Sequence, residues 1–139
     1  MDKKRILIID DEKALGASLK KLLDASGYQV SCCSAGKDGV DLACRERFDV
    51  VLLDIKMDDI DGVSVLKRIS NLAPQTRVII ITGSPSGVTI KETLEMGACD
   101  YIMKPFDHQQ LIAALDRAFA NNHRPLGVKK PDNSLKDMV

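Results

Sequence analysis

A doubly wound α/β fold, with a five-stranded parallel sheet and five helices on its two faces, is predicted by three observations on this 139-residue chain. Ile6-Leu7-Ile8-Ile9, Val50-Val51-Leu52-Leu53 and Val78-Ile79-Ile80-Ile81 are short, unbroken apolar runs rich in β-branched residues, the pattern of strands covered on both faces. Segments with apolar residues at helical spacing lie between them. Strand and helix alternate five times, and that order leads to crossover connections and a parallel sheet.

The run Ile6 to Ile9 is the first strand. After it Leu15, Leu19, Leu22 and Leu23 repeat at helical spacing, and Gly27 stands where a helix C-cap is expected. Tyr28 to Cys33 alternates and reads as a second strand nearer a sheet edge. Val40, Ala43 and Cys44 mark the second helix, and Val50 to Leu53 is the central third strand. Val63, Leu66 and Ile69 mark the third helix, followed by the strand at Val78 to Ile81. The fourth helix, roughly Gly87 to Met96, offers only Val88, Ile90, Leu94 and Met96 as apolar positions, so loose packing is expected of it. Tyr101-Ile102-Met103 is a brief fifth strand, again nearer an edge. Leu111, Ile112, Leu115, Ala118 and Phe119 form a clear stripe on the fifth helix. From Asn121 onward Pro125, Gly127, Pro131 and scattered charge break the pattern, so residues 1–121 are expected to form one domain and 122–139 a flexible tail or the start of a linker.

Bulk composition narrows the function. Hydrophobic residues make up 45% and charged residues 29%, ordinary values for a chain that folds alone. Lys plus Arg number 20 and Asp plus Glu number 20, so there is no excess positive charge for direct nucleic-acid binding by this domain. Cys32, Cys33, Cys44 and Cys99 show no C-x-x-C spacing and no nearby histidine, and read as small packing residues in a reducing compartment. Cys32 and Cys33 should point to opposite faces of their strand. The apolar run after Met1-Asp2-Lys3-Lys4-Arg5 is too short for a secretory signal or a membrane span, so a soluble cytoplasmic protein with no membrane partner is expected. His108 and His123 lie outside the motifs and are expected in solvent.

In an open parallel sheet every strand ends at one rim, and ligands bind there. Asp10 and Asp11 follow the first strand, Asp54 the third, Thr82 the fourth and Lys104 the fifth, so the fold should gather all five. Three carboxylates in a partly desolvated cleft repel one another unless a cation intervenes. Hard oxygen ligands without imidazole or thiolate suit Mg²⁺, with Mn²⁺ able to substitute. With the acids balanced, one carboxylate can act as a nucleophile toward phosphorus, and Thr82 and Lys104 can donate to the phosphoryl oxygens. Asp54 is the best nucleophile candidate, standing alone after the central strand.

At this point the chain resembles the receiver domain of two-component response regulators, from about Lys4 to Asn121. The matching stretches are Ile8-Ile9-Asp10-Asp11-Glu12, Leu53-Asp54-Ile55-Lys56-Met57, Asp61-Gly62, Ile81-Thr82-Gly83 and Gly97-Ala98-Cys99-Asp100-Tyr101-Ile102-Met103-Lys104-Pro105-Phe106. Each is weak alone; five in order are specific. The resemblance implies a flavodoxin-like sheet with strand order 2-1-3-4-5. It implies that Asp54 takes phosphate from a histidine of a sensor kinase or phosphotransfer protein, with Asp11 a direct Mg²⁺ ligand, Asp10 acting partly through water, and the Lys56 carbonyl a further ligand. Such a domain is a phosphoacceptor, not a general enzyme; it catalyses only its own phosphorylation and dephosphorylation. Thr82 and Tyr101 would be switch residues, re-biasing the face of helix four, strand five and helix five toward an output domain, a partner or a second copy. Lys104-Pro105 would be a cis peptide. Asp58 stands where the family often has proline and Gly83 where alanine is common, while Lys56 and Ser84 occupy positions that tune hydrolysis of the acyl phosphate. Receivers joined to transcriptional activators or hybrid kinases and free-standing signalling proteins are equally compatible.

Taken singly, each site residue has a plainer reading: Asp10 or Asp11 as a helix cap, Thr82 as a loop cap, Lys104 as a surface lysine, Tyr101 as core. Five coincidences at one rim outweigh these. An aspartate-nucleophile phosphatase would need a second aspartate where Lys56 stands. A flavin or dinucleotide module would carry G-x-G-x-x-G after the first strand, where Asp10-Asp11-Glu12 instead repels phosphate. A purely structural interaction domain would have no need of the five site residues.

Overall fold

A computed structural model of the chain describes residues 3–57, 60–83 and 90–120. Asp58, Asp59, Ser84, His123, the expected helical residues before Ile90 and the tail expected from residue 122 lie outside the described residues. The elements alternate as β1 Arg5–Ile9, α1 Lys13–Ala25, β2 Gln29–Cys33, α2 Gly36–Arg45, β3 Val50–Asp54, α3 Gly62–Leu72, β4 Arg77–Thr82, α4 Ile90–Glu95, β5 Asp100–Met103 and α5 His108–Ala120. The sheet order is β2-β1-β3-β4-β5, every neighbouring pair is parallel, and the two strands read as peripheral are its edges.

Strand alternation divides the core in two. Ile6 and Ile8 of β1, Val50 and Leu52 of β3 and Ile79 and Ile81 of β4 pack with Leu19 and Leu23 of α1 and Leu111 and Leu115 of α5. Their neighbours Leu7, Ile9, Val51, Leu53, Val78 and Ile80 point the other way, onto Val40 of α2 and Leu66 and Ile69 of α3. Both faces are therefore dry, which is why the three central runs contain no polar residue. Cys32 and Cys33 do point to opposite sides: the Cys32 thiol lies 3.4 Å from the Gly16 carbonyl of α1, while Cys33 packs on the α2 side. Among the described residues, α4 and the turn after it give the second core the partly buried Leu94 and Met96 and the buried Ala98.

Two helix ends are closed by glycine. Gly27 has φ +98°, its N–H bonds to Asp24 O at 3.1 Å, and the N–H of Tyr28 bonds to Leu23 O at 3.1 Å. This Schellman pair satisfies carbonyls that the end of α1 would otherwise leave open. Gly97, with φ +117°, closes the chain after α4 in the same way, with Gly97 N–H on Leu94 O and Ala98 N–H on Thr93 O.

Gly62 serves a different need. A Cβ there would collide with the Ile55 carbonyl and Cα, because the first residue of α3 lies directly on the chain leaving β3. Its N–H donates to Ile55 O at 3.2 Å, and the Asp61 side chain caps the helix by accepting from Val63 N–H at 3.2 Å. Helix α3 is thereby pinned to the chain that leaves β3 just after Asp54. Gly62→Ala is expected to lower the unfolding free energy by about 1–3 kcal/mol through forced overpacking against backbone. Gly83→Ala, whose added Cβ would meet only Lys104 side-chain carbons at 3.6 Å or more, is expected to change it by less than about 0.5 kcal/mol. Urea denaturation of the two variants checks the contrast.

Candidate functional site

The parallel strands end together, and their last residues build one cluster. Asp10 follows β1, Asp54 closes β3, Thr82 closes β4 and Lys104 follows β5. Asp54 and Thr82 belong to their strands and do not follow them, because the ladder runs further than the apolar residues do: Ile55 N–H reaches Ile81 O at 3.2 Å and Lys104 N–H reaches Thr82 O at 2.8 Å. Asp54 continues the parity of Val50 and Leu52, and Lys104 that of Ile102, all on the side covered by α1 and α5. Asp10 extends the parity of Ile6 and Ile8 toward the same side.

One carboxylate oxygen from each of Asp10, Asp11 and Asp54 lies within 4.8 Å of the others. Asp10 and Asp54 are buried and Asp11 is half-buried. The ammonium of Lys104 stands 3.2 Å from Asp10 Oδ2, 3.1 Å from Glu12 Oε1 and 3.5 Å from Asp54 Oδ2. Backbone donors hold two of the acids in place: Glu12 N–H donates to Asp10 Oδ1 at 2.9 Å and Lys56 N–H to Asp54 Oδ1 at 3.1 Å. That second bond fixes the Lys56 peptide beside the carboxylate, while the Lys56 side chain faces solvent.

One ammonium against three clustered carboxylates leaves the group net negative. Burial pushes the Asp54 carboxyl up to about 6, and the Asp10 charge adds to the rise, while the Lys56 N–H and the Lys104 ammonium oppose it. For Lys104 burial works downward, but the hydrogen bond to Glu12 and the charges of Asp10 and Asp54 outweigh it, and its pKa is raised. The donor set is all hard oxygen, which fits a magnesium-class cation and not a thiolate- or imidazole-seeking metal.

Four of the expected residues, Asp10, Asp11, Asp54 and Lys104, are brought together by side-chain geometry. Thr82 is buried at the next strand end, on the parity of Ile80. Tyr101 is not at the cluster: it lies on edge strand β5 and is 38% exposed, beside Met103 at 40%. It borders a groove of about 450 Å³ shared with Gln110, Ala113 and Arg117 of α5. The Lys104-Pro105 peptide is cis, as the resemblance implied. His108 is solvent-exposed at the start of α5. Glu12 is the residue that sequence reasoning missed as a partner of the lysine. Its only signal was its place beside Asp10-Asp11, at the N-cap of a helix whose cap it does not make.

The raised carboxyl gives a signed pH effect. Below the unfolded-state value of 3.8 Asp54 is neutral in both states, whereas above about 6 it is ionised in both and carries its burial cost in full. Through this group the metal-free protein therefore loses stability as pH rises from about 4 to about 7. Asp54→Asn, which never ionises, should gain on the wild type by on the order of 2 kcal/mol across that window. Denaturation in chelator at about pH 4.5 and about pH 7.5 measures the difference, and a pH-independent gap would refute it.

The surroundings of this site match those of known proteins. The model of the response regulator receiver domain matches residues 6–116. The transcriptional regulatory protein ZraR of Escherichia coli (strain K12) is 37% identical over 118 residues, 85% of this chain and 27% of ZraR. The transcriptional regulatory protein CrdR of Helicobacter pylori is 36% identical over 117 residues, 84% of this chain and 55% of CrdR. The chain thus spans about a quarter of the length of one relative and about half of the other. Among solved structures, the CheY-like receiver domain protein of Methanospirillum hungatei JF-1 superposes with a TM-score of 0.84 at 32% identity, covering 87% of this chain and 97% of that one. A receiver domain protein of Clostridium thermocellum gives 0.79 at 31% identity, covering 84% and 94%. No helix among the described residues is long and apolar enough to cross a membrane. With four fifths of its length matched and an acidic cluster at the sheet's C-terminal rim, the chain belongs to the receiver domains of two-component response regulators.

Proposed function

We propose that Asp54 is the phosphoacceptor of this receiver, taking a phosphoryl group from a histidine of a sensor kinase or phosphotransfer protein in a Mg²⁺-dependent reaction. The observation that carries the reading is the convergence of Asp10, Asp11 and Asp54 within 4.8 Å, with the Lys104 ammonium 3.5 Å from the Asp54 carboxylate. An Asp54 oxygen attacks phosphorus, the phosphorus–nitrogen bond breaks, and the histidine nitrogen leaves with the bonding pair and takes up a proton. Asp10, Asp11, Asp54 and the Lys56 carbonyl would hold Mg²⁺, with Asp10 acting partly through water. When bound, the ion neutralises the acids and the charge on the transferring phosphoryl oxygens. Lys104 donates to one phosphoryl oxygen and the Thr82 hydroxyl to another.

A groove of about 450 Å³ between α1 and the chain after β5 borders Lys104, and Leu15, Leu19, Leu22, Phe106 and Leu111 line it. Its apolar walls favour a protein donor over a small one. The output is read on α4, β5 and α5, where Tyr101 and Met103 are exposed and α4 adds little to the core. Phosphorylation shifts the population of conformations on that face toward binding an output domain, a partner or a second copy.

Intact-mass measurement with acetyl phosphate tests the reaction. One phosphoryl group should add to the wild type with Mg²⁺, none in chelator and none to Asp54→Asn. Equal labelling of both proteins would move the acceptor elsewhere. Mg²⁺ in excess should also raise the melting temperature by relieving repulsion among the acids, and Asp11→Ala should remove most of that rise. An unchanged response in the variant would exclude Asp11 as a ligand.

A further inference from the structure

We propose that Glu12 is a positioning residue that draws Lys104 away from Asp54 in the resting protein and so sets how readily Asp54 is phosphorylated. The proposal rests on the reading of Asp54 as phosphoacceptor and adds a regulator of that same site.

An ammonium has three N–H donors. Two of them are satisfied at hydrogen-bond distance, 3.1 Å to Glu12 Oε1 and 3.2 Å to Asp10 Oδ2. The third acid, Asp54, is 3.5 Å away and is reached as an ion pair only. The lysine thus sits closer to Glu12 and Asp10 than to Asp54, and Glu12 is its anchor on the rim side. Glu12 is free to act there because it stands at the N-cap of α1 yet makes no side-chain cap. A Ser, Thr or Asp at this position would turn back onto the helix N–H groups. The longer glutamate side chain instead crosses to a residue 92 positions away. Its backbone N–H is tied to Asp10 Oδ1 at 2.9 Å, so the base of the side chain is fixed beside the cluster.

The Glu12 side chain as a whole, by contrast, is 64% exposed. A pair with one member so open to water is weak and readily exchanged. When a phosphoryl group stands on Asp54, its oxygens need a donor, and the lysine N–H pointing at Glu12 is the one least costly to redirect. Glu12 is therefore a competitor that delays Lys104, and neutralising it should speed acceptance of phosphate.

Acetyl phosphate labelling of Asp54, followed by intact mass at low ionic strength in Mg²⁺, is compared in wild type, Glu12→Gln, Lys104→Met and the double variant. Glu12→Gln is expected to label about two- to fivefold faster than wild type, about 0.4–1 kcal/mol at the usual 1.36 kcal/mol per tenfold. In the Lys104→Met background the same substitution should change the rate by less than about 1.5-fold, since a partner acting through the lysine loses its effect when the lysine is gone. Equal speeding in both backgrounds would mean that Glu12 acts on the donor by charge alone, and the proposal would fall. No speeding in either would overturn it as well. If the lysine variants label too slowly to time, the affinity of trifluoroberyllate with Mg²⁺, measured by calorimetry on the same four proteins, supplies the same cycle with the same criteria. A wild type that does not label at all would sink the Asp54 reading, whereas a normal wild type with an unresponsive Glu12→Gln would sink this one alone.

Discussion

Repulsion among Asp10, Asp11 and Asp54 is the constraint around which the rest of the molecule is arranged. Carboxylates this close do not gather unless the chain forces them to, and the force here is the sheet: each acid is carried at or just past a strand end whose preceding residues are locked in a dry, two-sided core. Strand ends fixed in that way cannot spread apart to relieve the charge. Burial first and the Asp10 charge after it raise the Asp54 carboxyl, and a lysine is drawn among the acids. A site in this condition favours whatever brings positive charge, and it is already in place before any ligand arrives.

Alternation along the strands lets core and site coexist without compromise. In β3 the residues Val50 to Leu53 are fully buried, and the very next residue is the proposed acceptor. No transition zone separates stability from chemistry, because the ladder itself supplies the geometry. Among the described residues the second core draws Val40 and Ala43 from α2 and Val63, Val65, Leu66 and Ile69 from α3, with Leu94 of α4 partly buried at its edge.

Much of this was readable in the residues. The three β-branched runs, the leucine stripe of α1 and the glycine closing it identified strands and a helix because burial on both faces, or on one stripe, leaves few other sequences possible. The strands run one residue past the apolar runs at Arg5, Asp54, Arg77, Thr82 and Asp100, since polar residues can extend a hydrogen-bond ladder without contributing to the core. Strand order came from the family resemblance and not from periodicity, because parallel strands of equal hydrophobicity carry no label of their neighbours. Whether Tyr101 points in or out was not readable either, as both states satisfy an edge strand. Glu12 was overlooked for a related reason: its contact spans most of the chain, and nothing local to Asp10-Asp11-Glu12 encodes it.

The rung between Lys104 N–H and Thr82 O is short, at 2.8 Å, and among the described residues it is the last one joining β4 to the chain beyond β5. Through it the two proposed phosphate donors are joined backbone to backbone. Such a coupling behaves like a crank and not like a relay: displacement of one donor is passed to the other through covalent geometry and one hydrogen bond, without any side chain having to repack in between.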